Sequence, residues 1–383
     1  MAYSHFVMAA SLWHRADGLR PPGMSVGSSR SGGPLPTPPP QRLVSTSVTR
    51  GDSDWEGVRL HIVTGKGGTG KTTVAGSLAL ALAASGQTVL LCEVEGRQGI
   101  ARLFDAPNRT YDEHRIAAVP DENATAGEVY GLAIDPEAAL AEYLEMYYRM
   151  GRAVRALDKV GAIDFATTIA PGVRDVLLTG KVYEAVRRRE KKRTHARVYD
   201  AVVLDAPPTG RIARFLGVNA GVADIARVGP IRRQADSIMT MMRSPQTVVH
   251  LVTLLEEMPV QETADGIAEL REAKIPVGAV VINLAEQSPL DAKALTAASG
   301  GSLPRADFTA ALRETGLSAD DETVTGLLTD AREHAVRVEL ENELRSQVSA
   351  LDRPTYELPR LTDGVDLGAL FELSHALTAQ GMA

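Results

Sequence analysis

The stretch VRLHIVTGKGGTGKTTVAGSLALALAASG (58–86) constrains the fold of this chain more than any other. A short apolar, β-rich run ends at a glycine, a glycine loop follows, and an Ala/Leu helix starts at once and stops at Gly86. Inside it, GKGGTGKT (65–72) has the spacing of a phosphate-binding loop in the strand-to-helix context that gives the pattern meaning. Gly65, Gly67, Gly68 and Gly70 carry no side chain, so successive N–H groups around Thr69 can point inward at phosphate oxygens. The helix that follows presents its positive end to the same anion. Lys71 is placed to reach the β- and γ-phosphates, the Thr72 hydroxyl to ligate Mg²⁺, and Thr73 to complete the loop.

The runs that follow repeat this unit. TVLLCEV (88–94), YDAVVLDAPPTG (199–210), HLVTLLEE (250–257) and VGAVVIN (277–283) read as buried strands separated by helical stretches. Alternation of this kind predicts an α/β fold, a doubly wound, mostly parallel sheet with ligands at the C-terminal strand ends. Helical insertions are expected at about 106–196 and 287–351. In the first, Leu140, Tyr143, Leu144, Tyr147, Met150, Val154 and Leu157 recur at a helical period. The second passes through an Ala/Ser/Gly-rich loop to a long helix with Val324, Leu327, Leu328, Ala331, Ala335 and Val338 on one stripe. Residues 1–54 are rich in Pro, Gly and Ser and are expected to be disordered, so the ordered domain is expected over 55–383.

Composition removes several function classes. A net charge of −7 over 383 residues gives no general affinity for nucleic acid, and none is expected. The one cysteine, Cys92, cannot by itself form a disulfide, a CxxC pair or a multi-cysteine metal site, which suits a cytoplasmic chain. No segment approaches the roughly 18–20 apolar residues of a membrane span. The methionines near 146–150 and 239–242 read as core filling, with a Met-rich peptide groove as the alternative. The run RRREKKR (187–193) reads as a solvated helix end, with an acidic-partner site as the alternative.

Asp205 ends an apolar strand before APPTG, where an acid can hold a Mg²⁺ water and Gly210 can bring an N–H near the γ-phosphate. Lys66 is not needed by its own loop. Two lysines aimed at one triphosphate repel, so Lys66 is better read as reaching phosphate held by a second subunit, an analogue of an arginine finger. With this KGGTGKT spacing, the deviant Walker A signature of one class of P-loop NTPases, the chain resembles the family of arsenite-pump and tail-anchored-protein-targeting ATPases. DAPPTGRIARFL (205–216) resembles the family's second switch, and EEMPVQET (256–263) a segment whose glutamate, Glu262 here, approaches nucleotide across a dimer. VVIN (280–283) puts Asn283 where the family contacts adenine, and ELPRLTDGVDLGALFELSHAL (357–377) resembles its C-terminal segment. The resemblance implies a dimer closing around two ATP molecules with Mg²⁺, hydrolysing ATP to act on a protein or membrane-associated cargo.

Two departures matter. The family's first switch begins Asp-Pro-Ala-His, whereas this chain has EVEGRQG (93–99). Glu95 then stands as the water-activating carboxylate beside Lys66 and Lys71, with Gln98 as an alternative and loss of hydrolysis as a third reading. This altered switch leaves open a homodimer, a hetero-dimer with a homologous chain, or a nucleotide-regulated binding module with little turnover. The cysteine count excludes the metalloid site of arsenite pumps and the zinc clasp of targeting ATPases, so no zinc or arsenite site is expected.

Overall fold

The computed structural model describes residues 55–383 apart from Arg97, Asn108, Thr110, 120–126, 149–171, 191–195, 226–229 and Asp363. The expected disorder of 1–54, the stripe positions Met150, Val154 and Leu157, and the end of the basic run lie outside the described residues. The described residues divide into two compact units: those up to Glu286 together with Leu344–Ala383, and Gln287–Glu343.

The larger unit is an α/β layer structure. Its strands are β1 (Leu60–Gly65), β2 (Thr88–Glu93), β3 (His114–Val119), β4 (Gly127–Ala133), β5 (Ala201–Asp205), β6 (Thr247–Thr253), β7 (Val277–Ala285) and β8 (Thr355–Pro359). They form one eight-stranded sheet in the order β3-β4-β2-β5-β1-β6-β7-β8. Only the β3–β4 pair is antiparallel, so the doubly wound, mostly parallel sheet predicted from the sequence is present. The order turns over at β1, which has β5 on one side and β6 on the other. Such a switch point opens a crevice at the strands' C-terminal ends, and the glycine loop leaves β1 there.

Side-chain alternation explains why the strands read as unbroken apolar runs. Leu90, Cys92, Val202, Leu204, Val280 and Ile282 pack into a core on one face. Their neighbours Val89, Leu91, Ala201, Val203, Ala279 and Val281 pack into a second core on the other. A strand buried on both faces has no polar face to show. On the second face lie α1 (Lys71–Ala84) and α11 (Leu367–Ala379). Helix α1 is buried from Val74 to Ala83, which its run of Ala and Leu without a charge anticipates. The first face carries α4 (Val173–Arg187), α5 (Thr209–Ile225), α6 (Pro230–Met242) and α7 (Glu257–Glu272). The short α2 (Gly99–Leu103) and α3 (Pro136–Tyr148) complete the unit.

Two details differ from the sequence reading. The stretch from about 106 to 196, expected to be helical, contains β3 and β4 before α3 and α4. Gly127 opens β4 where an added Cβ would sit 1.8 Å from the Ala83 carbonyl oxygen, so the strand docks against the end of α1 through a glycine. HRIAAV in β3 mixes half-buried, exposed and buried positions at the sheet edge and shows no clean alternation, so its strand character comes from pairing rather than from pattern. In the smaller unit, part of the expected Ala/Ser/Gly-rich loop is a helix, α8 (Ala292–Ser299). The Asp291 carboxylate caps it by accepting from the Ala294 N–H at 2.7 Å. It packs with α9 (Arg305–Glu314) and the first part of α10 (Asp321–Ser349) around Ala294, Phe308, Leu312, Val324, Leu327 and Ala331. Among the described residues, no helix is long and apolar enough to cross a membrane.

Candidate functional site

The site forms where β1, β2 and β5 end side by side. Strand register sets Val63 and Glu93 on either side of Asp205. The Thr64 hydroxyl donates to the Pro207 carbonyl at 2.7 Å and the Ala206 N–H to the Val63 carbonyl at 2.9 Å. These bonds pin the turn after β5 against the start of the glycine loop.

The loop holds its shape by its own bonds. The Thr69 hydroxyl donates to the Lys66 carbonyl at 2.9 Å and is 1% exposed, so it braces the loop from inside. Gly70 has φ 86, and no side chain caps the helix it precedes. The first N–H groups of α1 therefore face the cradle, the arrangement that suits an anion. At Gly67 and Gly68 an added Cβ would meet nothing within 4 Å among the described residues, so the loop is open on that side.

Below the loop, charged groups are buried together. Lys71 is 8% exposed. The Thr72 hydroxyl donates to Asp205 Oδ2 at 2.6 Å. Burial pushes the Asp205 carboxyl up to about 6, with the charges of Glu93 and Glu95 adding to it and the Thr72 hydrogen bond and Lys71 opposing it. Glu93 is 3% exposed; its Oε2 accepts from the Ile100 N–H at 3.0 Å, while its Oε1 has no hydrogen-bond partner among the described residues. A buried carboxylate oxygen without a donor, next to a carboxyl whose charge is disfavoured, is a local deficit of positive charge. The oxygen-only donor set of Thr72, Asp205 and Glu93 fits a hard divalent cation such as Mg²⁺.

Other predicted residues fall elsewhere. Glu95 is at the rim, 4.0 Å from the Arg211 guanidinium of α5. Gln98 has φ 56 and precedes α2. Lys66, expected to reach outward, forms an ion pair with Glu262 of its own chain at 2.9 Å. Both ends of that pair are about one-third exposed, at 31% and 35%. Asn283, expected to contact adenine, is 4% exposed, and its Nδ2 donates to the Thr69 carbonyl at 2.9 Å. The same amide nitrogen would be 2.3 Å from a Cβ on Gly70. Its side chain is thus committed to the loop backbone. Thr73 lies half-buried in the first turn of α1. Cys92 is buried in β2, where burial pushes its thiol well above the ordinary range.

Glu93 was missed by sequence reasoning. The available signal was a carboxylate at the last position of an apolar strand, the same signal that identified Asp205.

A protein of Mycobacterium tuberculosis named ATPase BagA is 49% identical over 345 residues, covering 89% of this chain and all of that one. The model of the anion-transporting ATPase family matches residues 58–245 of this chain, from β1 through the turn after α6. This chain belongs to that family. More distant members include ATPase ARSA1 of Chlamydomonas reinhardtii, 26% identical over 60% of this chain and 32% of that one. ATPase GET3 of Malassezia globosa is 31% identical over 40% of each. The phosphate loop, the Asp205 turn and Glu93 all lie inside the family match. Glu262 and Asn283 lie beyond it.

Proposed function

We propose that this chain is a Mg²⁺-dependent ATPase that closes face to face with a second ATPase chain, a copy of itself or a homologue, around bound nucleotide. The observation that carries the reading is the burial of Lys71, Asp205 and Glu93, with Thr72 bonded to Asp205, beneath an open glycine loop at the sheet's switch point. The loop N–H groups and the uncapped start of α1 would hold the phosphates, with Lys71 on their outer oxygens. Thr72 and Asp205 would hold Mg²⁺, which supplies charge neutralisation on those oxygens when bound, and Glu93 would anchor water next to it. Glu95 would accept the proton of the attacking water. Arg211, whose guanidinium lies 4.0 Å from Glu95, would help orient that carboxylate at the rim.

Lys66 acts last in this reading. In the single chain it is held by Glu262, and closure would release it toward phosphate on the second chain, completing the deviant Walker A site. We place the chain in the cytoplasm, with nucleotide-driven closure acting on a protein or membrane-associated partner. The alternative, a binding module or hetero-dimer subunit with little turnover, is favoured by one observation: flexible Gly96, at φ 67, follows Glu95 where the family has proline.

The test is Mg²⁺-ATP turnover by the purified chain, with Lys71→Ala as control and mass measured with and without ATP. Turnover lost in Lys71→Ala, with a dimer appearing on ATP, supports the reading. ATP binding without turnover supports the alternative, and absence of ATP binding overturns both. Lys66→Ala should retain ATP binding while losing turnover; unchanged turnover would remove the role in trans.

A further inference from the structure

At the other end of the sheet, under the amino-terminal ends of β1, β5 and β6, lies a cavity of about 580 Å³. Arg59, Arg187, Arg189 and Arg197 line it, with Ser237 and Thr240 of α6 opposite, and no acidic residue lines it among those described. Arg59 directly precedes β1, whose other end is the glycine loop, so the two sites sit at opposite ends of one strand.

The arginines are held together against their mutual repulsion. Arg189 and Arg197 face each other across an antiparallel β-bridge. It is closed by the Glu190 N–H to the Ala196 carbonyl at 2.8 Å and the Val198 N–H to the Arg188 carbonyl at 3.2 Å. Directly opposed residues project to the same side, and like charges there are destabilising. Arg59 is 5% exposed and donates Nη2 to the Tyr199 carbonyl at 2.7 Å and Nε to the Asp200 carbonyl at 3.1 Å. Neither acceptor is a carboxylate. Burial first, and then the positive charge of Arg197, hold its pKa below the usual guanidinium value; the Asp200 charge opposes this and Arg189 adds to it.

The remaining polar groups do not change the sign of the cavity. The Asp200 carboxylate accepts from the Thr88 N–H at 2.9 Å. The Ser237 and Thr240 hydroxyls donate to the Arg233 and Asp236 carbonyls, each at 2.7 Å, and Arg187 donates to the Tyr183 hydroxyl. Arg189 and Glu190 take part in further interactions, and the donors a ligand would meet are guanidinium N–H groups of Arg59, Arg187 and Arg197 beyond the bonds just named. Arg188, between two lining arginines, is turned away and paired with Glu113 at 2.6 Å. The basic run read from the sequence as a solvated helix end is thus partly directed into a cavity.

We propose that this cavity binds a small, multiply charged phosphate compound of the diphosphate class. Guanidinium forks match phosphate oxygens two at a time, and several such forks in one concave site favour a ligand with more than one phosphate. A volume of this size holds a small molecule rather than a duplex or a lipid surface, and the chain's net charge of −7 disfavours a general polyanion interface.

The experiment is calorimetric titration of inorganic pyrophosphate into the full chain, with the phosphate loop already filled by Mg²⁺-ADP. Binding is expected in the unmodified chain, and Arg197→Ala and Arg189→Ala should each weaken it by about tenfold or more, the loss of one charge-assisted contact. Arg197→Lys should recover part of the loss, because it keeps the charge without the fork. Both positions are exposed, and unchanged ADP affinity in the variants would show that they fold. The proposal is overturned by no pyrophosphate heat in the unmodified chain, by heats unchanged in the alanine variants, or by Arg-dependent binding to vesicles rich in phosphatidylglycerol with none to pyrophosphate.

Discussion

Asn283→Asp is the substitution that separates a loop brace from a base contact. The side chain keeps its size but replaces an N–H₂ donor with a carboxylate oxygen, aimed at the Thr69 carbonyl that now accepts from it at 2.9 Å. The site is 4% exposed, so water cannot replace the lost donor. Leaving a buried carbonyl without its partner costs about 1–3 kcal/mol. Gly70, whose φ of 86 keeps the next peptide in place, packs on the same amide, so the loss falls on the loop itself. If the deformation is expressed in nucleotide affinity, it corresponds to about 5- to 150-fold. The assay is competition of ATP, GTP and inorganic tripolyphosphate against a fluorescent nucleotide, in the original chain and the variant. A brace predicts equal weakening for all three, because all use the loop. Weakening confined to ATP would refute the reasoning and return Asn283 to the base.

Other outcomes follow from the same structure. Glu95→Gln should lower turnover by about a hundredfold or more while ATP affinity stays within a few-fold; unchanged turnover in a steady-state phosphate-release assay would remove Glu95 from the chemistry. Gly65→Ala should abolish ATP binding and destabilise the fold by about 1–3 kcal/mol, because the added Cβ would sit 2.3 Å from the Val252 carbonyl of β6; urea unfolding and ATP titration check both. His61 is fully enclosed, and burial brings its pKa down to about 4. Its folded value lies below its unfolded one, so its neutral form stabilises the fold fully above about pH 6.5, and that contribution is lost as the pH falls toward 4. The neighbouring His250, whose Nδ1 accepts from the Ala279 N–H at 3.2 Å, directs its other nitrogen at His61. Between about pH 7.5 and 5 the original chain should lose about 2 kcal/mol more than His61→Gln in urea unfolding; parallel losses would show that His61 is not held neutral.

The sequence alone determined the parts whose information is local. GKGGTGKT between a strand and a helix dictates its own conformation, because glycine spacing and an uncapped helix start are properties of neighbouring residues. Strands buried on both faces announced themselves as apolar runs, and with them the parallel sheet and the place of Asp205. Tertiary structure decided everything that depends on register or on distant segments meeting. Glu93 matters because β2 pairs with β5 so that it stands beside Asp205, and no pattern around residue 93 states that pairing. Lys66 meets Glu262, and Asn283 meets Thr69, only because α7 and β7 return to the switch point. The edge strand β3 and its neighbour β4 were hidden for a related reason: they owe their form to the strands they pair with and the helix end they pack on. The arginine cavity is the furthest case, since its arginines come from before β1, from the end of α4 and from the stretch between α4 and β5, and only the sheet's lower edge gathers them against α6.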